Sequence, residues 1–113
     1  MLNQVVLVGR LTEDLKVTTI DDKKEATLTL AVQRTFKNTD GIYEADFIEC
    51  YLLNSIADST SKYCHAGDIV GIKGHIQVNE HKEDNGNITK STVVVAEKIT
   101  FLSSKSSDKE QEG

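Results

Sequence analysis

Hydrophobic and polar residues alternate along much of the chain, and a period of two is typical of half-buried β-strands. The segment "ATLTLAVQ" (26–33) places Leu28, Leu30 and Val32 on one face and two threonines and an alanine on the other. The segment "DFIECYLL" (46–53) alternates in the same way, so both segments predict strands with one face in a core. The second strand is expected to place Ile48, Cys50 and Leu52 inward and Phe47, Glu49, Tyr51 and Leu53 outward.

The two ends of this alternating region also predict strands. The segment "QVVLVGRL" (4–11) is short and apolar, and its Gly9 permits a bend or a close backbone approach, as strand glycines do at barrel corners. The segment "STVVVAEKITFL" (91–102) predicts the last strand. Between them, "DIVGIKGHIQVNEH" (68–81) is expected to place Val70, Ile72, Ile76 and Val78 inward and Lys73, His75, Gln77, Asn79 and His81 outward.

The turns between these strands must be made by Gly, Asn and Asp, because the chain has no proline. Asp40-Gly41 and Asn85-Gly86 are hairpin signals, since Gly accepts a positive φ without steric cost and Asp and Asn tolerate it. The sequence therefore predicts two hairpins with tips at these dipeptides.

One segment, "NSIADSTSKYCHAG" (54–67), is a helix candidate, with Asn54 or Ser55 as its cap and Gly67 as its end. Its predicted inward stripe is Ile56, Thr60, Tyr63 and Cys64. Five strands with one helix between the third and the fourth is the element order of an OB-fold, a five-stranded Greek-key barrel. A small sandwich or another five-stranded barrel has a similar pattern.

Composition limits the chain to one domain. At 113 residues and 38% hydrophobic content it can build one modest core, which we expect over residues 1–102. Residues 103–113 are polar, and we expect a short disordered tail. We find no apolar run of 18 residues and no basic-then-apolar leader pattern, so we expect an intracellular, cytoplasmic protein.

The net charge and the cysteine and histidine positions limit which ligands and reactions are expected. The net charge is −5, so a polyanion would have to be held by something besides bulk charge. Cys50 and Cys64 are expected to be buried free thiols. No Cys-x-x-Cys or His-x-x-x-His pair suggests a metal site, and adjacent helical residues such as Cys64 and His65 do not face each other for nucleophilic catalysis. We therefore expect neither an enzyme, nor a metal, nor a cofactor.

Several segments together resemble the bacterial single-stranded DNA-binding proteins (SSB). These are "MLNQVVLVGRLTED", "ATLTLAVQRTFKNTDGIYEADFIECYLLNSIAD", "KYCHAGDIVGIKGHIQ" and "VVVAEKITFL", in the order and spacing of that family over residues 1–102. The resemblance implies an OB-fold homotetramer that wraps single-stranded DNA without sequence preference during replication, repair and recombination, in the cytoplasm and associated with the nucleoid.

The resemblance also implies a DNA-binding site. Positions matching the family's aromatic platforms are Phe36, Phe47, Leu53 and His81. Implied phosphate contacts are Arg10, Arg34, Lys37, Lys73, Lys82 and Lys90. Leu53 and His81 depart from the family's aromatic pattern. Phe36 has the same even numbering as the inward residues Leu30 and Val32, so without a bulge in the strand it would point inward and cap the end of the barrel.

The charged positions depart from the family as well. Gln77, Asn79 and Glu80 stand where the family usually has basic residues, and Leu15-Lys16 replaces a Pro-Glu pair. Weaker binding than in typical members is therefore expected. Long-tailed members end in an acidic tip that docks partner proteins, whereas this chain ends "SSDKEQEG" and resembles a short form used in DNA uptake or on mobile elements. A truncated longer protein has the same appearance.

Two other functions remain open from the sequence. An OB-fold protein-interaction module with weak nucleic-acid binding is compatible with the acidic charge and the lost basic residues. An RNA-binding OB protein is also compatible, because stacking does not inspect the 2′-hydroxyl.

Overall fold

The computed structural model describes residues 1–104. Within them the elements are β1 (Val5–Leu11), β2 (Val17–Ile20), β3 (Lys23–Lys37), β4 (Tyr43–Leu53), α1 (Ser55–Tyr63), β5 (Ile69–Lys82) and β6 (Ile88–Ser103). The last strand thus includes Ser103, the first residue of the predicted tail, and residues 105–113 of that tail lie outside the described residues.

The strands form one sheet that closes on itself. Their order is β1-β5-β6-β4-β3-β2, and β1 also pairs with β3, which closes the barrel. All pairings are antiparallel except the short one between β4 and β6, where Cys50 and Tyr51 lie opposite Val94 and Val95. This closed arrangement, with α1 between β4 and β5, confirms the predicted OB-fold.

A short strand, β2, precedes the predicted second strand and was not predicted from the sequence pattern. Residues Val17–Ile20 pair with Lys23–Ala26 across a two-residue turn. Both turn residues, Asp21 and Asp22, have positive φ (51° and 65°), the backbone that two-residue hairpins favour. Asp-Asp is a weaker turn signal than Asp-Gly, because only Gly adopts this backbone without cost.

The barrel interior is built from the predicted inward faces of β3 and β4. Leu28, Leu30, Cys50 and Leu52 are at most 1% exposed, and Val32 is half-buried. The residues that alternate with them lie on the barrel exterior. Alternation therefore assigned the two faces of these strands correctly.

Alternation assigned β5 correctly only in its first half. Val70 and Ile72 are buried as predicted, but the inward prediction is wrong for Ile76 and Val78, which are 43% and 56% exposed. Pairing of β5 with β1 ends at Gly74, and beyond it β5 pairs only with β6. The β5–β6 hairpin therefore continues past the core as a two-stranded arm, where neither face is covered.

The helix is shorter than predicted. It ends at Tyr63 rather than at Gly67, because Cys64 is extended (φ −119°, ψ 138°). Tyr63 is 73% exposed, so its place on the inward stripe is wrong; Ala57, Thr60 and Cys64 are the buried residues here. No helix in residues 1–104 has the length and apolar character needed to cross a membrane.

Both predicted hairpin tips are confirmed, and they share one geometry. Gly41 has φ 77° and its N–H donates to the Asn38 carbonyl at 3.0 Å. Gly86 has φ 87° and its N–H donates to the Glu83 carbonyl at 2.9 Å. Each tip thus contains a four-residue turn that ends in a left-handed glycine.

Both cysteines are buried free thiols, as predicted. Burial, assisted by the neighbouring Glu49 carboxylate, raises the pKa of Cys50 to about 11. Burial also raises the pKa of Cys64, with a smaller contribution from Asp68. Within residues 1–104, no three His, Cys, Asp or Glu side chains lie together as a potential metal site.

We predict that Gly74→Ala destabilises the barrel. A Cβ at this position would lie closer than 3.0 Å to the Val95 carbonyl oxygen, so the backbone must move, at a cost of about 1–3 kcal/mol. Gly71→Ala is the matched control on the same strand, because its Cβ meets only ordinary contacts from 3.8 Å outward. Urea unfolding followed by circular dichroism at equal protein concentration measures both. Equal stability of the two variants would contradict the close approach.

Candidate nucleic-acid interface

Two exposed phenylalanines mark the β3–β4 hairpin. Phe47, on β4, is 70% exposed and lies opposite Ala31 on β3. Phe36, near the end of β3, is 66% exposed. The β3–β4 register shifts by two residues between Gln33 and Lys37, so odd-numbered residues of β3 still share the Phe47 face and Phe36 keeps its predicted inward parity. Phe36 is exposed because residues 33–37 and 43–47 lie past the core, where neither face of the hairpin is covered.

Strand β4 carries a row of outward side chains that begins at Phe47 and ends at Leu53. Successive members are two residues apart, or about 7 Å along the strand. Leu53 is 44% exposed and lies opposite Glu25. The row offers one flat ring at Phe47, a carboxylate at Glu49, a second ring at Tyr51 and an aliphatic end.

Arg10 lies beside this row. Arg10 on β1 pairs with Ala31 on β3, and Ala31 in turn pairs with Phe47 on β4. Paired residues share a face, so Arg10 and Phe47 lie on the same exterior surface with one strand between them. The Arg10 Nη1 donates to the Gly67 carbonyl at 2.6 Å, which ties the side chain to the loop after α1.

Arg34, predicted to contact phosphate, is held by two carboxylates. Its Nη1 lies 2.9 Å from Glu44 Oε2, and its Nη2 lies 2.9 Å from Asp46 Oδ1. The hydrogen bond from Arg34 lowers the pKa of Asp46, and the same contact raises the pKa of Arg34. Glu44 and Asp46 were not predicted as partners of Arg34, although two carboxylates spaced two residues apart on the strand antiparallel to β3 indicate a cross-strand ion pair.

Lys37 and the hairpin tip complete this end of the barrel. The Lys37 Nζ lies 5.5 Å from the centroid of the Tyr43 ring, its cross-strand partner, in a cation–π contact. The Asn38 side-chain oxygen accepts hydrogen bonds from the N–H groups of Asp40 and Ile42 at 2.9 and 3.0 Å. The Asn38 side chain therefore stabilises the turn at the tip, two residues after Phe36.

The second group of predicted residues lies on the β5–β6 arm. His81 is exposed and pairs with Thr89, and Lys82 pairs with Ile88. Lys90 Nζ lies 3.7 Å from Glu80 Oε1, its cross-strand partner. The arm thus presents one ring and two lysines, one of which has a carboxylate beside it.

Lys73 is set apart from both groups. It lies on β5 opposite Val6 of β1, and its other neighbour is Lys98 of β6. His75, two residues on, is in contact with Glu97 (Nδ1 to Oε2, 2.7 Å). The structure therefore places Phe36, Phe47, Arg34 and Lys37 on the β3–β4 hairpin, with Arg10 beside Phe47 and Leu53 at the far end of β4. It gathers His81, Lys82 and Lys90 on the β5–β6 arm and leaves Lys73 on the β1–β5 exterior.

Comparison with known proteins identifies relatives of this chain. Residues 2–102 match the model of the single-strand binding protein family. The chain is 40% identical to "Single-stranded DNA-binding protein B" of Bacillus subtilis (strain 168), over 96% of this chain and 97% of that protein. It is also 40% identical to "Single-stranded DNA-binding protein 1" of Staphylococcus aureus (strain MSSA476), over 99% of this chain and 72% of that protein.

We predict that the Asp46 carboxyl titrates below its usual range and returns to it in Arg34→Gln. The depressed folded-state pKa means that the ion pair is present above the ordinary Asp pKa and is lost as pH falls through the lowered value. NMR titration of the side-chain carboxyl carbons measures this. Asp58, whose pKa is lowered by Lys24 and Lys62, is the internal control and should be unchanged. An unaltered Asp46 titration in the variant would show that Arg34 is not its partner in solution.

Proposed function

Since the chain belongs to the single-strand binding protein family, we propose that it binds single-stranded DNA without sequence preference and without catalysis. The observation that carries the proposal is the pair of phenylalanines, Phe36 and Phe47, standing at least 66% exposed at the β3–β4 hairpin of an OB-fold barrel. An exposed aromatic ring offers a flat apolar surface on which a base can stack. The corresponding strands of other OB-folds form their oligonucleotide surface.

The proposed mechanism is base stacking. Each base that stacks on an aromatic side chain contributes about 1–3 kcal/mol, and every base has a π-face, so stacking needs no sequence readout. Phe36 and Phe47 supply full rings. Leu53 supplies apolar contact at the other end of the β4 row, and His81 supplies a smaller ring on the β5–β6 arm.

Phosphate contacts are proposed to be few. Arg34 and Lys90 already have carboxylates within 2.9 and 3.7 Å, so a phosphate must compete for them. Among the predicted lysines, Lys37, Lys73 and Lys82 have no carboxylate partner in the described part of the chain. At about 0.7 for each single-strand phosphate contact, these three lysines together contribute about −2 per protomer to the slope of log affinity against log salt.

Self-association is proposed through β1, because part of this strand is an open edge. Residues 5–10 pair with β5 on one side, but only Arg10 and Leu11 pair with β3 on the other. Val6 and Val8 beside this edge are 71% and 54% exposed. An unpaired edge with apolar neighbours is a template for a second chain, and a homotetramer is the assembly we propose.

The biological setting that fits this activity is the protection of exposed single strands. We propose a cytoplasmic, nucleoid-associated role in replication, recombination, repair or DNA uptake. No further ligand is required for the mechanism, because the described side chains supply both the stacking surfaces and the cations.

We predict that oligo-dT binds far more tightly than duplex DNA of the same length, because paired bases cannot stack on the rings. Phe47→Ala should weaken oligo-dT binding by roughly 5- to 150-fold, the loss of one base stack. Tyr63→Ala is the matched control, since Tyr63 is 73% exposed but lies on α1, beside Ile99 and Phe101 of β6. Fluorescence anisotropy of labelled oligonucleotides at fixed salt measures these affinities.

Three outcomes of this titration separate the candidate functions. Equal affinity for single strand and duplex would contradict stacking. Tight binding of oligo-rU together with weak binding of oligo-dT would identify RNA as the ligand. No binding of any nucleic acid, in a folded protein, would favour the protein-interaction module.

We also predict a mass near 50 kDa in solution without DNA, about four times the 12.5 kDa chain. Val6→Lys should lower this mass, because it places a charge beside the open edge of β1. Tyr63→Lys, an exposed position on the helix, should leave it unchanged. Light scattering coupled to size-exclusion chromatography decides the matter, and a monomeric parent at micromolar concentration is the result that would refute the assembly.

A further inference from the structure

A pocket of about 350 Å³ opens on the barrel exterior between β2, β3 and β4. This volume is at the lower end for ligand pockets and suits a single nucleotide rather than a longer segment. The side chains that matter for its chemistry are Lys16, Thr18, Glu25, Thr27, Tyr51 and Leu53. Of these, only Leu53 belongs to the set that matches the family's platforms.

The pocket continues the proposed DNA surface along β4. Tyr51 is on the same face as Phe47, four residues or about 14 Å further along the strand, and Leu53 follows after about 7 Å. Thr27, the residue directly opposite Tyr51 on β3, is small. A single strand that stacks on Phe47 and follows β4 therefore arrives at this pocket next.

The pocket side chains have unused binding capacity. Within residues 1–104, the Tyr51 hydroxyl has no hydrogen-bond partner and the Lys16 ammonium has no ion-pair partner. Glu25 at the rim can accept hydrogen bonds from exocyclic base amino groups.

We infer that this pocket holds one nucleotide of the bound single strand, with its base against the Tyr51 ring and its phosphate at Lys16. The inference rests on the proposed single-stranded DNA binding. It assigns to Tyr51 the stacking role that the aliphatic Leu53, two residues away, cannot perform. The subsite is a property of this chain, because it depends on Lys16 and Tyr51 together.

The test measures oligo-dT affinity for Tyr51→Ala and Lys16→Gln by fluorescence anisotropy over a range of salt. Tyr51→Ala should weaken binding by roughly 5- to 150-fold, as expected for one base stack. Lys16→Gln should reduce the salt slope by about 0.7, as expected for one phosphate contact. Tyr63→Ala and Lys62→Gln, both on α1, are the controls and should change neither quantity.

A second measurement covers the case in which Tyr51→Ala does not fold. The chain has three tyrosines and no tryptophan, so tyrosine emission reports directly on stacking. Oligo-dT should quench part of this emission in the parent, and the quenched part should shrink in Tyr51→Phe, which keeps the ring and the affinity. Undiminished quenching in Tyr51→Phe would count against the subsite.

The outcomes distinguish the subsite from the function on which it rests. If Phe47→Ala weakens binding while Tyr51→Ala and Lys16→Gln are silent, the DNA surface stands and the subsite is wrong. If the parent itself does not bind oligo-dT, both are wrong. Weakened binding by Tyr51→Ala with a reduced slope in Lys16→Gln establishes the nucleotide subsite.

Discussion

Closure of the barrel depends on close backbone approach at two glycines. At Gly9, β1 is still paired with β5 and approaches β3, with which its next two residues pair, and a Cβ there would lie closer than 3.0 Å to the Ala31 carbonyl oxygen. At Gly74, β5 loses β1 as a neighbour, and the register with β6 shifts by one residue between Lys73 and Gly74. Only glycine permits these approaches, because any side chain would hold the strands apart.

The residues of the proposed binding surface alternate along β3 and β4 with the residues that form the core of the closed barrel. Leu28, Cys50 and Leu52 fill the interior because the sheet curves around them. Strand geometry then turns their neighbours Phe47 and Tyr51 outward at regular spacing. The same alternation therefore supplies both stability and a row of side chains on the exterior. A substitution that slipped the β3–β4 register by one residue would exchange the two faces and destroy both.

The charges explain why an acidic chain is proposed to bind a polyanion. The net charge of −5 opposes DNA at long range, and the Arg34 guanidinium is occupied by Glu44 and Asp46. Flat rings need no charge to hold a base, so stacking is the interaction that suits this surface. The carboxylates beside Arg34 also join β3 to β4 in the hairpin that carries Phe36 and Phe47. Exposed ion pairs of this kind contribute little stability, but they limit the attraction of Arg34 for phosphate.

Local sequence determined the strands with a covered face, the two Gly hairpin tips and the buried free thiols, because these follow from alternation, positive φ and burial tendency. The order of the elements also indicated the OB-fold. Only the tertiary structure decided the rest. Ile76 and Val78 are exposed because β5 continues beyond the end of β1, and Phe36 is exposed because the β3–β4 hairpin continues beyond its pairing with β1. The partners of Arg34 and the pocket at Tyr51 are equally beyond local patterns, since each joins side chains from different strands. A residue is covered only where neighbouring strands continue beside it. Barrel closure determines those neighbours, and the alternation pattern of the residue's own strand does not show them.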